Sequence, residues 1–92
     1  MQLVDVRTPE EFAEGHIPNA LNINVMNEDF LDLATSALDK ERIVAVYCRS
    51  GRRSKTAAGQ LVKEGFIVVE LEGGFLGWNG PKTAPADTEP EN

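Results

Sequence analysis

Apolar residues follow two rhythms along this chain. Three runs are nearly continuous: Leu3 to Val6 ("LVDV"), Ile43 to Cys48 ("IVAVYC") and Phe66 to Leu71 ("FIVVEL"). Runs of this kind, four to six residues long, predict strands covered on both faces, as in a parallel sheet. The other rhythm is helical. From Asn27, apolar residues fall at Phe30, Leu33, Ala34, Ala37 and Leu38, with acidic residues in the first turn. That i, i+3, i+4, i+7, i+8 spacing predicts an amphipathic helix. Ala57, Ala58, Leu61 and Val62 mark the face of another.

Local punctuation sets the boundaries. Thr8, Pro9 and Glu11 form a T-x-x-E capping box with proline at the first helical position, and Gly15 closes that short helix as a C′ glycine. Ser54 is the N-cap expected for the helix after Cys48, and Gly65 its terminator. Gly59 costs about 1 kcal/mol relative to alanine inside a helix, so it is read as allowing close packing on the sheet. The stretch from His16 to Val25 is extended, with a brief strand near Leu21 to Ile23. The glycine-rich "EGGFLGWNG" is a turn whose aromatics cap the core, with Trp78 as a core or lid residue. The final segment, with three prolines and no apolar run, predicts a disordered acidic tail over 80–92.

The order strand, helix, short strand, helix, strand, helix, strand predicts one α/β domain over residues 1–79. Its sheet is parallel, with about four to five strands and helices on both faces. In such sheets ligands bind beyond the carboxyl ends of the strands, and Cys48 lies at that end of the strand Ile43 to Tyr47.

Charge sharpens this picture. The 92 residues carry a formal net charge of -6, which argues against nucleic acid as a partner. Yet Arg49, Arg52, Arg53 and Lys55 fall within seven residues. A positive spot on an acidic body suits a small anion. The single cysteine cannot form an intramolecular disulfide. No apolar run is long enough to cross a bilayer, and no signal peptide is visible. The expected compartment is the cytoplasm, or the periplasm if a leader has been removed.

A loop between a strand and a helix N-terminus can curl so that successive backbone N–H groups point inward and bind an anion. Gly51 permits the curvature. A thiol at its base is stabilised as the thiolate by those N–H groups and by nearby arginines. Cys48 is therefore read as a nucleophile rather than a core filler.

The segments "DVRTPEEFAEGHIPNALNI", "YCRSGRRS" and "LEGGFLGW" together resemble the rhodanese, or single-domain sulfurtransferase, family. The likeness runs from about Leu3 to Trp78. It implies that Cys48 carries the sulfur and that Arg49, Ser50, Gly51, Arg52 and Arg53 complete the loop around it. Asp5 and Arg7 match the family's Asp-x-Arg, and Gly15, His16, Ile17 and Pro18 its Gly-His-Ile-Pro turn. Asp5, Arg7, His16 and Ser54 are read as supporting or structural positions.

Two departures stand out. The family usually has another strand and helix before Asp-x-Arg, so one sheet edge is expected to be exposed and open to pairing. Asn19 replaces the glycine common after His-Ile-Pro, in a turn that asparagine can make.

Related phosphatases use Cys-x5-Arg, a wider cradle. Here four residues separate Cys48 from Arg53, and Ser54 stands at the phosphatase position. The likeness therefore implies transfer of a sulfane sulfur from thiosulfate or a persulfide donor, through a Cys48 persulfide, to cyanide or a thiol. The donor or acceptor can also be a protein. Neither a metal nor a cofactor is implied. The competing reading is a non-catalytic interaction or regulatory module of the same fold. A redox sensor is a third, but it lacks a resolving cysteine. Glu10, Glu11 and Glu14 read as a solvated helix face.

Overall fold

The structure is a computed structural model that describes residues 1–49, 51–71 and 73–77. Ser50, Trp78 and the tail over 80–92 lie outside the described residues, so the expectations for them do too.

Among the described residues four strands, β1 (Gln2–Asp5), β2 (Leu21–Asn22), β3 (Val44–Tyr47) and β4 (Val68–Glu70), form one sheet. It is wholly parallel, in the order β2-β1-β3-β4. Three helices intervene: α1 (Pro9–Glu14), α2 (Phe30–Ala37) and α3 (Arg52–Lys63). The alternation of strand and helix is the one the apolar pattern predicts.

Strand side chains alternate between the two faces of a sheet. Val4, Val6, Val44, Val46 and Cys48 pack on one face with Phe30, Ala34 and Leu38 from the α2 region and Ala57, Ala58 and Leu61 of α3. On the other, Asp5, Ala45 and Tyr47 are also buried. There the connection leaving α1 lies against the sheet, where the Ile17 N–H donates to the Tyr47 hydroxyl at 3.1 Å. β3 is thus covered on both faces, as its unbroken apolar run predicts.

The capping box of α1 forms in full. Thr8 Oγ1 accepts from the Glu11 N–H at 3.2 Å, and Glu11 Oε1 accepts from the Thr8 N–H at 3.0 Å. Gly15 does cap this helix, but in extended backbone rather than the left-handed form of a C′ glycine. Asn19 takes φ +71, a turn conformation asparagine tolerates.

Other expectations are corrected. α2 starts at Phe30, not Asn27, because the Asn27 side chain accepts the Asp29 N–H at 2.8 Å and holds a turn there. Its buried stripe is narrower than the periodicity suggests, since Leu33 remains 46% exposed and Ala37 is exposed as well. The N-cap of α3 is Gly51 at φ +120, and Ser54 sits three residues inside the helix. Among the described residues nothing lies within 4 Å of a Cβ built on Gly59, so the close packing expected of it is not found there. β4 is an outer strand rather than a doubly covered one, and Ile67 beside it is 58% exposed. No helix among the described residues is long and apolar enough to cross a membrane.

Candidate active site

Cys48 follows the last residue of β3 and is 1% exposed. Among the described residues, its Sγ accepts backbone hydrogen bonds from the Gly51 N–H at 3.1 Å and the Ser54 N–H at 3.3 Å. The first donor reaches the sulfur from a residue at φ +120, which favours glycine. The second belongs to the first turn of α3, whose N–H groups have no partner within the helix. Ser54 therefore contributes through its backbone, while its Oγ donates to the Gly51 carbonyl at 3.0 Å and closes that turn. Two N–H donors and the positive end of a helix at one sulfur favour the thiolate over the thiol.

Behind this cradle stands the turn Gly73–Gly77. The Phe75 N–H donates to the Cys48 carbonyl at 2.8 Å, and the Leu76 N–H to the Arg49 carbonyl at 3.0 Å. Gly74 makes both bonds possible. A Cβ there would lie 2.6 Å from the Cys48 oxygen and 2.7 Å from that of Arg49. The turn thus grips the two peptides that follow Cys48, a role beyond capping the core. Sequence reasoning missed this because the partners are 27 residues away and the contact is backbone to backbone.

Arg53 points its guanidinium at Glu11 of α1, in a two-pronged pair with Nη1–Oε1 at 2.8 Å and Nη2–Oε2 at 3.1 Å. The Arg53 hydrogen bonds, against a burial penalty, bring the Glu11 carboxyl down to about 2. The same bond raises Arg53, with a smaller contribution from Cys48. Glu11 is therefore not part of a solvated face. It caps α1 and braces the first turn of α3 at once. The capping box located this residue, but only the fold supplies its second partner.

Arg49, Arg52 and Arg53 meet Cys48 and Met26 around an open pocket of about 430 Å³. The structure thus brings together the loop arginines named from the sequence, and adds Met26, for which no sequence signal existed. Lys55 is exposed and reaches Glu70 at 4.0 Å.

Asp5 and Arg7 form a buried pair, with Arg7 Nη2 and Nε donating to the Asp5 carboxylate at 2.6 to 3.0 Å. Arg7 Nη2 also donates to the Gly15 carbonyl at 2.6 Å, and its guanidinium lies 4.3 Å from the Phe75 ring centroid. Burial opposes the Arg7 charge, but Asp5 outweighs it and the pKa is raised. Burial likewise pushes the Tyr47 phenol up. These groups tie the Gly15 turn and Phe75 together. His16 stacks on Phe12 at 3.7 Å between centroids, with Nδ1 2.9 Å from the Phe12 carbonyl oxygen.

A family model described as "Rhodanese-like domain" matches residues 1–81. The chain belongs to the rhodanese-like family. This rhodanese-like domain is 42% identical over 77 residues to a protein of Allochromatium vinosum named "Sulfurtransferase", spanning 83% of this chain and 69% of that protein. It is 38% identical to "Thiosulfate sulfurtransferase GlpE" of Pseudomonas aeruginosa, over 95% of this chain and 76% of the relative. A solved rhodanese-like domain from Anabaena sp. superposes with a TM-score of 0.83 at 33% identity, covering 90% of each chain.

Proposed function

We propose that this domain is a sulfurtransferase in which Cys48 is the nucleophile and carries the transferred sulfur as a persulfide. The observation that carries this reading is the pair of N–H groups on Sγ, at 3.1 and 3.3 Å, beside three arginines. The names of its relatives lend independent support.

In the first half-reaction the Cys48 thiolate attacks the outer sulfur of thiosulfate. A Cys48–sulfur bond forms, the sulfur–sulfur bond of the donor breaks, and sulfite leaves with that electron pair. The persulfide is an anion and takes over the N–H groups that held the thiolate. In the second half-reaction cyanide or a thiol removes the outer sulfur and restores the thiolate. Two steps through one covalent intermediate give ping-pong kinetics. Arg49 and Arg52 attract the dianionic donor, and Arg53, held by Glu11, braces the loop.

The test is intact mass after incubation with thiosulfate and desalting, with Cys48→Ser alongside. The expected result is one added sulfur on the native protein alone, released by cyanide as thiocyanate. Sulfur transfer that survives in Cys48→Ser overturns the mechanism. A native protein that accepts sulfur from neither thiosulfate nor a persulfide donor favours the non-catalytic interaction module.

A further inference from the structure

Arg49 lines a second cleft besides the one at Cys48. This cleft, of about 450 Å³, is also bounded by Glu11, Glu14, Phe75 and Leu76. Its charged groups differ in what remains available to a ligand. Glu11 is held by Arg53 and Thr8. Arg7, at the back, is held by Asp5 and the Gly15 carbonyl. Glu14 and Arg49 are exposed and make no side-chain hydrogen bond or ion pair with another described residue. Phe75 and Leu76 line the same cleft, and Leu76 is 63% exposed, an apolar side chain that folding does not bury.

One free carboxylate, one free guanidinium and an apolar wall match a small zwitterion with a short aliphatic stem. Glu14 takes its ammonium, Arg49 its carboxylate, and Leu76 covers the stem. A dianionic donor is repelled by Glu14 and is better served on the arginine-lined side. The cleft also abuts the reactive residue, because the Phe75 in its wall donates its N–H to the Cys48 carbonyl at 2.8 Å.

We propose that this cleft holds the α-amino-acid head group of the sulfur acceptor, a thiol such as cysteine or a γ-glutamyl peptide of it. The chemistry rests on the reading that Cys48 carries a persulfide. The acceptor sulfur attacks the outer sulfur of Cys48 and a new sulfur–sulfur bond forms. The old one breaks and leaves the Cys48 thiolate, while the thiol's proton passes to the transferred sulfur. No external oxidant or reductant enters. The two substrates thus approach one sulfur over different surfaces, divided by Arg49.

Two measurements test this. The first reads the cleft without the chemistry, by titrating S-methyl-L-cysteine into the Cys48→Ser protein and following amide chemical shifts. Saturable shifts grouped on Gly15, Arg49 and Leu76, and lost in the added Glu14→Gln change, are expected. Absence of such shifts overturns the site. The second loads the native protein and Glu14→Gln with thiosulfate, desalts both, and follows discharge of the bound sulfur. An exposed charge pair contributes up to about 1 kcal/mol. Glu14→Gln should therefore slow discharge by L-cysteine or by γ-glutamylcysteine about three- to fivefold. Discharge by cyanide and by 3-mercaptopropionate, which lack the ammonium, should not slow. Whichever amino-acid thiol responds identifies the source of the head group. Equal slowing with all four acceptors, or with none, overturns the proposal. Shifts without any loading by thiosulfate would keep the cleft and count against thiosulfate as donor.

Discussion

The contact between Gly74 and the Cys48 loop predicts that Gly74→Ala damages both the fold and sulfur transfer. The new Cβ would sit 2.6 Å from one backbone oxygen and 2.7 Å from another, and neither belongs to a flexible side chain. Regaining ordinary contact requires the turn and the loop to separate by roughly 0.8 Å. That stretch takes the 2.8 and 3.0 Å hydrogen bonds from Phe75 and Leu76 beyond bonding distance. Two such bonds contribute about 1 kcal/mol each, and alanine at φ +58 costs about 1–2 kcal/mol more. The sum is about 3–4 kcal/mol of lost stability. If the loop moves instead, the Cys48 peptide is displaced by the same roughly 0.8 Å. Misplacement of that size at a reacting group costs on the order of 10–100-fold in rate. The assay pairs thermal unfolding with the single-turnover rate of sulfur loading from thiosulfate. Gly65→Ala is the control, because Gly65 has φ +99 but meets only the Lys40 side chain, at 3.8 Å. It should lower Tm while leaving loading unchanged. A folded Gly74→Ala protein that loads at the native rate refutes the idea that this turn sets the loop.

Further consequences are simpler. The Glu11 carboxyl titrates at about 2 instead of its ordinary 4.5, so its stabilisation is complete above about pH 5 and fades as pH falls toward 2. The shift corresponds to at most about 3 kcal/mol, which screening of a part-exposed pair reduces to roughly 1 kcal/mol. Acid unfolding of Glu11→Gln should accordingly lack that component of the native pH dependence, and an unchanged slope between pH 5 and 2 would contradict the pairing. At Gly59, alanine meets open space in the middle of α3 and should raise stability by about 0.5–1 kcal/mol, read by denaturant unfolding, with transfer unaffected. A destabilised Gly59→Ala protein would restore the close packing that the sequence suggests.

How much could be read in advance depended on the range of each interaction. The runs Ile43 to Cys48 and Leu3 to Val6 announced strands because a doubly covered strand has little room for polar residues. The T-x-x-E pattern announced the start of α1 because both of its hydrogen bonds lie within four residues. Where neighbours outside the segment decide, the pattern misled. Leu33 has the helical spacing of a core residue, yet no element among the described residues covers it. Val69 in β4 has the apolar run of an inner strand, yet it belongs to the last strand of the sheet. Ser54 has the chemistry of an N-cap, but a Gly51 at φ +120 takes that place, and the serine N–H turns to sulfur instead.

The same division holds at the site. By itself the sequence determined that a cysteine ends a buried strand, with a glycine and three arginines around the start of a helix. Those local features make an anion-stabilising loop, because strand end, tight turn and helix start are contiguous in the chain. Tertiary structure alone decided which arginine is occupied. Arg53 is held by Glu11, 42 residues earlier, whereas Arg49 keeps its charge available. It also decided that Gly74 would press against the Cys48 and Arg49 carbonyls. Such pairings depend on how parallel strands bring distant loops to one edge of the sheet. No local pattern encodes that edge, because it exists only after Val4, Val46 and Glu70 have aligned in register.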